Sequence, residues 1–282
     1  MSEIDFNITI VGLGLIGGSF AMALKELNIK NLWAVDIDTN VIKTAEDMRI
    51  IDKGYTDPET PLQNSDIVII CLYPNLTLEF IKENMDSFKS GAIITDTAGI
   101  KERLIKEVDL VLRKDIEFIG GHPMAGREYK GFEFASKEIF KGANYIITPT
   151  NKNSRGNIEK IELLIRRIGF KRIIKITPQK HDEIIAYTSQ LPHIMATALI
   201  NSDEECDTNS FVGGSFKDAT RVARINCDLW TELLINNGEN VLAQIESFEK
   251  RLGDIKRAII DNERDALKAL FEKGSLKREE LI

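Results

Sequence analysis

The stretch that decides the fold is VGLGLIGGS, Val11 to Ser19, where Gly12, Gly14 and Gly17 follow a G-x-G-x-x-G spacing between a β-rich run and an amphipathic one. Gly12 permits a tight turn, Gly14 lets the backbone approach a pyrophosphate, and Gly17 lets a helix pack close against a strand. The run before it, Asn7 to Val11 (NITIV), reads as a strand and Ile16 to Leu27 as a helix. Glycine triplets alone are common; this strand–loop–helix setting gives the triplet its meaning. The first free amides of the helix, at Leu15 and Ile16, would then face negative charge. Asp36 closes the next strand, LWAVD (32 to 36), where a carboxylate can accept hydrogen bonds from an adenosine ribose and would repel a 2′-phosphate. NAD is therefore expected rather than NADP, the alternative being that Asp36 merely caps the following helix.

Outward from this unit the alternation continues. LWAVD leads into a helix at 41–48, DIVIICL (66 to 72) into one at 76–88, and AIITDTA (92 to 98) into one at 101–112. EFIGG (117 to 121), NYIIT (144 to 148) and RIIKI (172 to 176) are further strands, with a helix at 158–168 between the last two. Strands alternating with helices predict a doubly wound, mostly parallel α/β sheet covered on both faces. After Thr177 period-2 alternation disappears, and the remainder reads as helices broken at Pro192, at 209–214 and around Gly253. The expected division is a Rossmann dinucleotide-binding domain over 1–177 and an all-helical substrate and dimerisation domain over 178–282. A helix over 230–252 carries more apolar surface than one neighbour would bury, which fits either a homodimer contact or a helix central to its own domain.

Composition narrows the function classes. With 37 basic and 44 acidic residues the net charge is −7, so no global field attracts nucleic acid, and any anion must meet a local cationic site. No apolar run reaches the roughly 20 residues of a membrane span, and the N-terminus lacks the pattern of a secretory signal. Three widely spaced cysteines, Cys71, Cys206 and Cys227, read as reduced thiols of a cytoplasmic protein, with neither a disulfide framework nor a metal site expected.

Imidazole chemistry has three possible owners: His122, His181 and His193. His122 lies in GGHPMAGRE (120 to 128), just past the carboxyl end of a predicted strand, where ligands bind in doubly wound sheets. Its small neighbours leave room for a substrate.

Together, GLGLIGGS, the D-x-A-G-x-K run at 96–101, GGHPMAG, the His181–Asp182 pair, QLPH (190 to 193) and FKDATRVA (216 to 223) occur in the order seen in prephenate dehydrogenases. The resemblance covers nearly the whole chain. It implies an NAD-dependent enzyme of tyrosine biosynthesis, acting as a homodimer, that converts prephenate oxidatively to 4-hydroxyphenylpyruvate and CO₂, or arogenate to tyrosine. It implies that His122 is the catalytic base and that Arg221, with a planar fork suited to carboxylates, and His193 bind substrate. Glu128 at the rim, Trp230, Gly214 and, as an added positive charge, Arg127 are weaker candidates for the same pocket. Gly12, Gly14, Leu15, Ile16, Gly17, Asp36 and Thr97 are the expected cofactor-binding residues. The His181–Asp182 pair is expected to orient the start of the helical domain rather than to touch the reacting atoms.

Two departures stand out. Gly99 replaces the family's serine, so orientation of His122 falls to other groups, Thr97 or water among them. Gln190 replaces the first histidine of S-H-L-P-H, which is expected to weaken a polar contact. Two competing expectations stay open: a two-domain dehydrogenase of a 3-hydroxy acid, and an NAD-sensing regulator without turnover.

Overall fold

The computed structural model describes residues 4–126, 129–204 and 208–281. From the glycine loop, β1 (Ile4–Val11) runs into α1 (Leu15–Lys25) and β2 (Ile29–Val35) into α2 (Thr39–Asp47). Next come β3 (Lys53–Tyr55) with α3 (Glu59–Asn64), β4 (Ile67–Ile70) with α4 (Pro74–Glu83), and β5 (Ile93–Asp96) with α5 (Glu102–Val108). Finally β6 (Glu117–Pro123), β7 (Asn144–Thr148), α6 (Arg155–Ile168) and β8 (Arg172–Lys175) complete one sheet of order β3-β2-β1-β4-β5-β6-β7-β8. All pairings are parallel except β6 with β7. Strands β4 and β5 are buried at every position, as their unbroken apolar runs require when helices cover both faces.

One core lies under α1 and α6, built on Ile8, Ile10, Phe20, Phe140, Tyr145 and Phe170. Its opposite number packs Val68, Ile70, Ile94, Leu104, Ile105 and Phe118 beneath α4 and α5. Helix α6 buries Ile161, Leu164, Ile165 and Ile168, the face that its apolar spacing predicts.

Past β8 the described residues are helical: α7 (Pro178–Ile185), a π segment (Ala186–Gln190), α8 (Leu191–Asn201), α9 (Gly214–Thr220), α10 (Cys227–Asn236), α11 (Gly238–Ile260) and α12 (Arg264–Leu281). Thr177 caps α7 by accepting from the Lys180 amide, and Pro178 occupies its first turn, where a missing N–H costs nothing.

Several expectations are corrected. Pro192 does not break the helix: the chain widens into the π segment just before it, the Leu191 amide donating to the Ala186 carbonyl, and α8 continues. The single helix expected over 230–252 is two, because Asn237 leaves helical geometry between α10 and α11 and turns its side chain into a buried amide network. Gly253 lies inside α11, and the break comes instead at Asn262, with φ +52°. Strand β6 extends through His122 to Pro123. No helix of the described residues is long and apolar enough to cross a membrane.

Candidate active site

The glycine loop is packed tightly beneath and open above. A Cβ on Gly17 would stand 1.8 Å from the Gly12 carbonyl oxygen, and one on Gly12, whose φ is +86°, would stand 2.9 Å from the carbonyl of Cys71. A Cβ on Gly14 would meet nothing within 4 Å. The first turn of α1, with Leu15 and Ile16, therefore starts without a side-chain cap beside open space, a cradle that fits a dinucleotide pyrophosphate. Asp36 Oδ2 accepts from the Leu13 amide at 2.6 Å and Oδ1 from the Asp38 amide at 2.9 Å. It is Asp38 that caps α2, so Asp36 is not that helix's cap. Thr97, just after β5, donates its amide to Ile70. Cys71 borders the loop, and burial pushes its thiol up to about 12, so it stays protonated.

His122 is the penultimate residue of β6 and lies opposite Ile146 of β7. Its Nδ1 stands 2.8 Å from His181 Nε2, and His181 Nδ1 stands 2.6 Å from Asp182 Oδ1. The Asp182 carboxylate also accepts the Lys101 and Glu102 amides, each at 2.9 Å, tying α7 to the start of α5. The His181–Asp182 pair thus ties the helical half to the start of α5, and His181 also touches His122 directly, at the His122 ring nitrogen Nδ1. Burial first, then His181 and Lys101, hold His122 well below its ordinary range, so the ring is neutral. A Cβ on Gly99 would stand 3.9 Å from His122 Nε2 and 3.3 Å from a methyl of Leu233, which fills the space beside the missing serine.

Beneath His122 lies a fully buried ion pair, Lys101 with Asp96. Asp96 also accepts from the Ala98 and Gly121 amides, so the charges are matched and bonded as burial demands. The glycine pair ahead of His122 makes room for this network. A Cβ on Gly120 would fall 2.4 Å from Thr148 Oγ1 and 3.1 Å from Lys101 Cδ, and one on Gly121 would fall 2.1 Å from the Tyr145 hydroxyl.

In the helical half, His193 of α8 and Trp230 of α10 form one stack, ring centroids 3.7 Å apart at 28°. His193 Nδ1 donates to the Ser189 carbonyl at 2.8 Å. Arg221 begins a 3₁₀ turn, Arg221–Ala223, packed against α8, and Gly214 opens α9 with no atom within 4 Å of where its Cβ would be. Gln190 is buried, donates to the Leu233 carbonyl at 3.2 Å and accepts from Asn237 at 2.7 Å. Arg127 and Glu128 lie outside the described residues.

Sequence reasoning saw Asp96 and Lys101 as the ends of a motif but missed their buried pairing, and it missed the contact of His181 with His122. A lysine five positions after a strand-ending aspartate was a usable signal; contact of His181 with His122, 59 positions away, depends on tertiary structure alone.

Residues 20–174 match the nucleotide-binding domain of prephenate dehydrogenase and residues 177–273 its dimerization domain. The chain belongs to the prephenate dehydrogenase family. Prephenate dehydrogenase of Lactococcus lactis is 30% identical over 95% of this chain and 75% of its own length. The cyclohexadienyl dehydrogenase of Zymomonas mobilis is 29% identical over 96% of this chain and 94% of its own. Among solved structures, prephenate dehydrogenase from Aquifex aeolicus in complex with hydroxyphenyl propionate and NAD⁺ superposes with TM-score 0.91 at 31% identity, covering 100% of both chains. As a member of the prephenate dehydrogenase family, the chain is an NAD-dependent oxidoreductase that decarboxylates prephenate or arogenate oxidatively, which removes the 3-hydroxy-acid and non-catalytic readings.

Proposed function

We propose that His122 is the base of this reaction, and that the hydroxyl it serves is the one on C4 of the cyclohexadiene ring. The observation that carries the reading is a neutral imidazole at the end of a strand, with Nδ1 engaged and Nε2 without a hydrogen-bond partner among the described residues. Bound NAD supplies the hydride acceptor. Its pyrophosphate is assigned to the Gly12–Gly17 loop, with the Leu15 and Ile16 amides, its ribose to Asp36, and Thr97 lines the same crevice.

As hydride leaves C4, His122 Nε2 takes the hydroxyl proton and the oxygen gains carbonyl character. Loss of the ring carboxylate as CO₂ then sends an electron pair into the ring, restoring aromaticity. The oxygen emerges as a phenolate, to which His122 returns the proton, so no net proton is left on the enzyme. Arg221 grips a substrate carboxylate, His193 and Trp230 form the wall of the pocket, and Gly214 keeps the backbone close to the ligand. Glu128 is assigned to its rim on the family resemblance, and Arg127, where the family commonly has a small hydroxyl residue, to an added positive charge near the substrate side chain.

The same reading divides the chain at 177/178 and makes it a homodimer. Leu242, Leu252, Ile259 and Ile260 of α11 and Phe271 of α12 are exposed in the single chain, in the region matching a dimerization domain. Free Cys71 and Cys227 support a cytoplasmic location.

The test is turnover. Purified protein given NAD⁺ with prephenate, then with arogenate, should reduce the cofactor with at least one of them. His122→Asn should lower kcat roughly 10²- to 10⁴-fold while leaving NAD affinity intact. No reduction with either substrate, or an unaffected rate in the variant, refutes the assignment. Sedimentation at micromolar concentration should give the mass of two chains.

A further inference from the structure

Three side chains, His122 from β6 and His181 and Asp182 from α7, stand in one hydrogen-bonded line, and the direction of each bond follows from what its ends can carry. The Asp182 carboxylate has only lone pairs to offer, so at 2.6 Å it must take a proton from His181 Nδ1. A neutral imidazole protonated on Nδ1 is an acceptor at Nε2. His181 Nε2 therefore receives the Nδ1 proton of His122 at 2.8 Å, and His122 is left with a bare Nε2. That nitrogen faces the turn holding Gly99.

We propose that His181 and Asp182 are positioning residues that fix the tautomer of His122, keeping its Nε2 lone pair turned to the substrate hydroxyl in a chain whose Gly99 has no hydroxyl to do so. The proposal rests on the reading of His122 as base. The line is rigid at its far end. The Lys101 and Glu102 amides hold Asp182, and both His181 and Asp182 are buried, so bulk water competes little for their bonds. The charged groups packed around the two rings are Asp182, Lys101 and Asp96. Burial and Lys101 oppose a charge on either ring, whereas Asp182 and, more weakly, Asp96 favour one on His181. The resting state is thus two neutral rings with their protons ordered. The charge that His122 gains in the reaction is met through His181 by the Asp182 carboxylate, until the proton goes back to the product oxygen.

With only three histidines in the chain, the tautomers are directly readable by nitrogen NMR of the full-length, NAD-bound protein labelled with ¹⁵N-histidine. The expected spectrum has His122 and His181 protonated on Nδ1 and bare on Nε2. His181→Leu should convert His122 to a mixture of tautomers and lower kcat roughly 10- to 100-fold with substrate KM within about twofold, the scale of losing a partner that orients a functional imidazole. His181→Gln, whose side-chain oxygen can accept the same proton, should recover most of that loss. Finding the His122 proton on Nε2 in the wild-type protein overturns the proposal, whether or not the variants fold. So does a His181→Leu enzyme with unchanged kcat. If His122→Asn is impaired and His181→Leu is not, the positioning line fails alone; if His122→Asn is itself unimpaired, the base assignment has failed first.

Discussion

The Asp36 carboxylate accepts the Leu13 amide at 2.6 Å, so the side chain at the end of β2 is tied to the middle of the glycine loop. Under the proposed ribose assignment, cofactor recognition and loop conformation hang on one residue. Asp36→Ser should raise the KM for NAD⁺ and shift the NAD⁺/NADP⁺ ratio of kcat/KM toward NADP⁺ by roughly 10- to 100-fold, about 1.4 to 2.7 kcal/mol. Steady-state kinetics with both cofactors measure it, and a ratio that moves less than threefold would count against the ribose assignment.

Activity should have an acid limb and no change across neutrality. His122 is held well below 6.5, chiefly by burial, so its neutral form prevails at pH 7 and is lost only when the pH falls toward that lowered value. The kcat/KM profile should therefore be flat above about pH 6.5 on account of this group, with its inflection below. The stability sign agrees. Burial lowers both His122 and His181, so the unfolded chain binds protons that the folded one refuses. Their contribution is fully present above the unfolded value near 6.5 and is lost progressively as pH falls toward the folded values. Urea melts at pH 7 and 5.5, with and without His181→Leu, isolate that loss.

Lys101 and Asp96 are a buried, hydrogen-bonded ion pair, and removing one partner strands the other charge. Lys101→Met should destabilise the fold by about 3 to 5 kcal/mol, and adding Asp96→Asn should recover part of it. Chemical denaturation of the single and double variants reads this directly. A single variant within about 1 kcal/mol of wild type would mean that the pair does not hold the turn together.

Arg221→Ala should raise the substrate KM at least tenfold with a smaller effect on kcat if, as proposed, Arg221 clamps a substrate carboxylate in both ground and transition states. Unchanged KM for both prephenate and arogenate would remove Arg221 from the pocket.

Where a signal in the sequence was local, it was readable. The glycine loop, the apolar runs of β4 and β5 and the face of α6 each show their burial in periodicity or spacing. Strand β3 escaped because three residues at a sheet edge, Lys53 to Tyr55, have room for neither. The break at Asn237 carries a turn signal in Asn236-Asn237-Gly238, but helical spacing on both sides masks it, and what holds the break is a buried bond to Gln190 from another helix. His193 and Trp230, 37 positions apart, were both attributed to the pocket through family resemblance; nothing in their spacing foretells the stack. The His122–His181 bond likewise depends on how α7 docks against the sheet, a matter of tertiary contact that no periodicity encodes.

The wide turn at Ala186–Gln190 sets the rotational phase of everything after it. In a regular helix each residue advances the direction of its side chain by about 100°, so the twelve steps from His181 to His193 would leave the two rings about 120° apart. Absorbing one extra residue in the π turn reduces the count to eleven effective steps, and ideal geometry then brings the rings to within about 20° of a common side. Pro192, by withholding an amide from the ordinary ladder, helps keep that turn wide. One rod can thereby aim both imidazoles the same way.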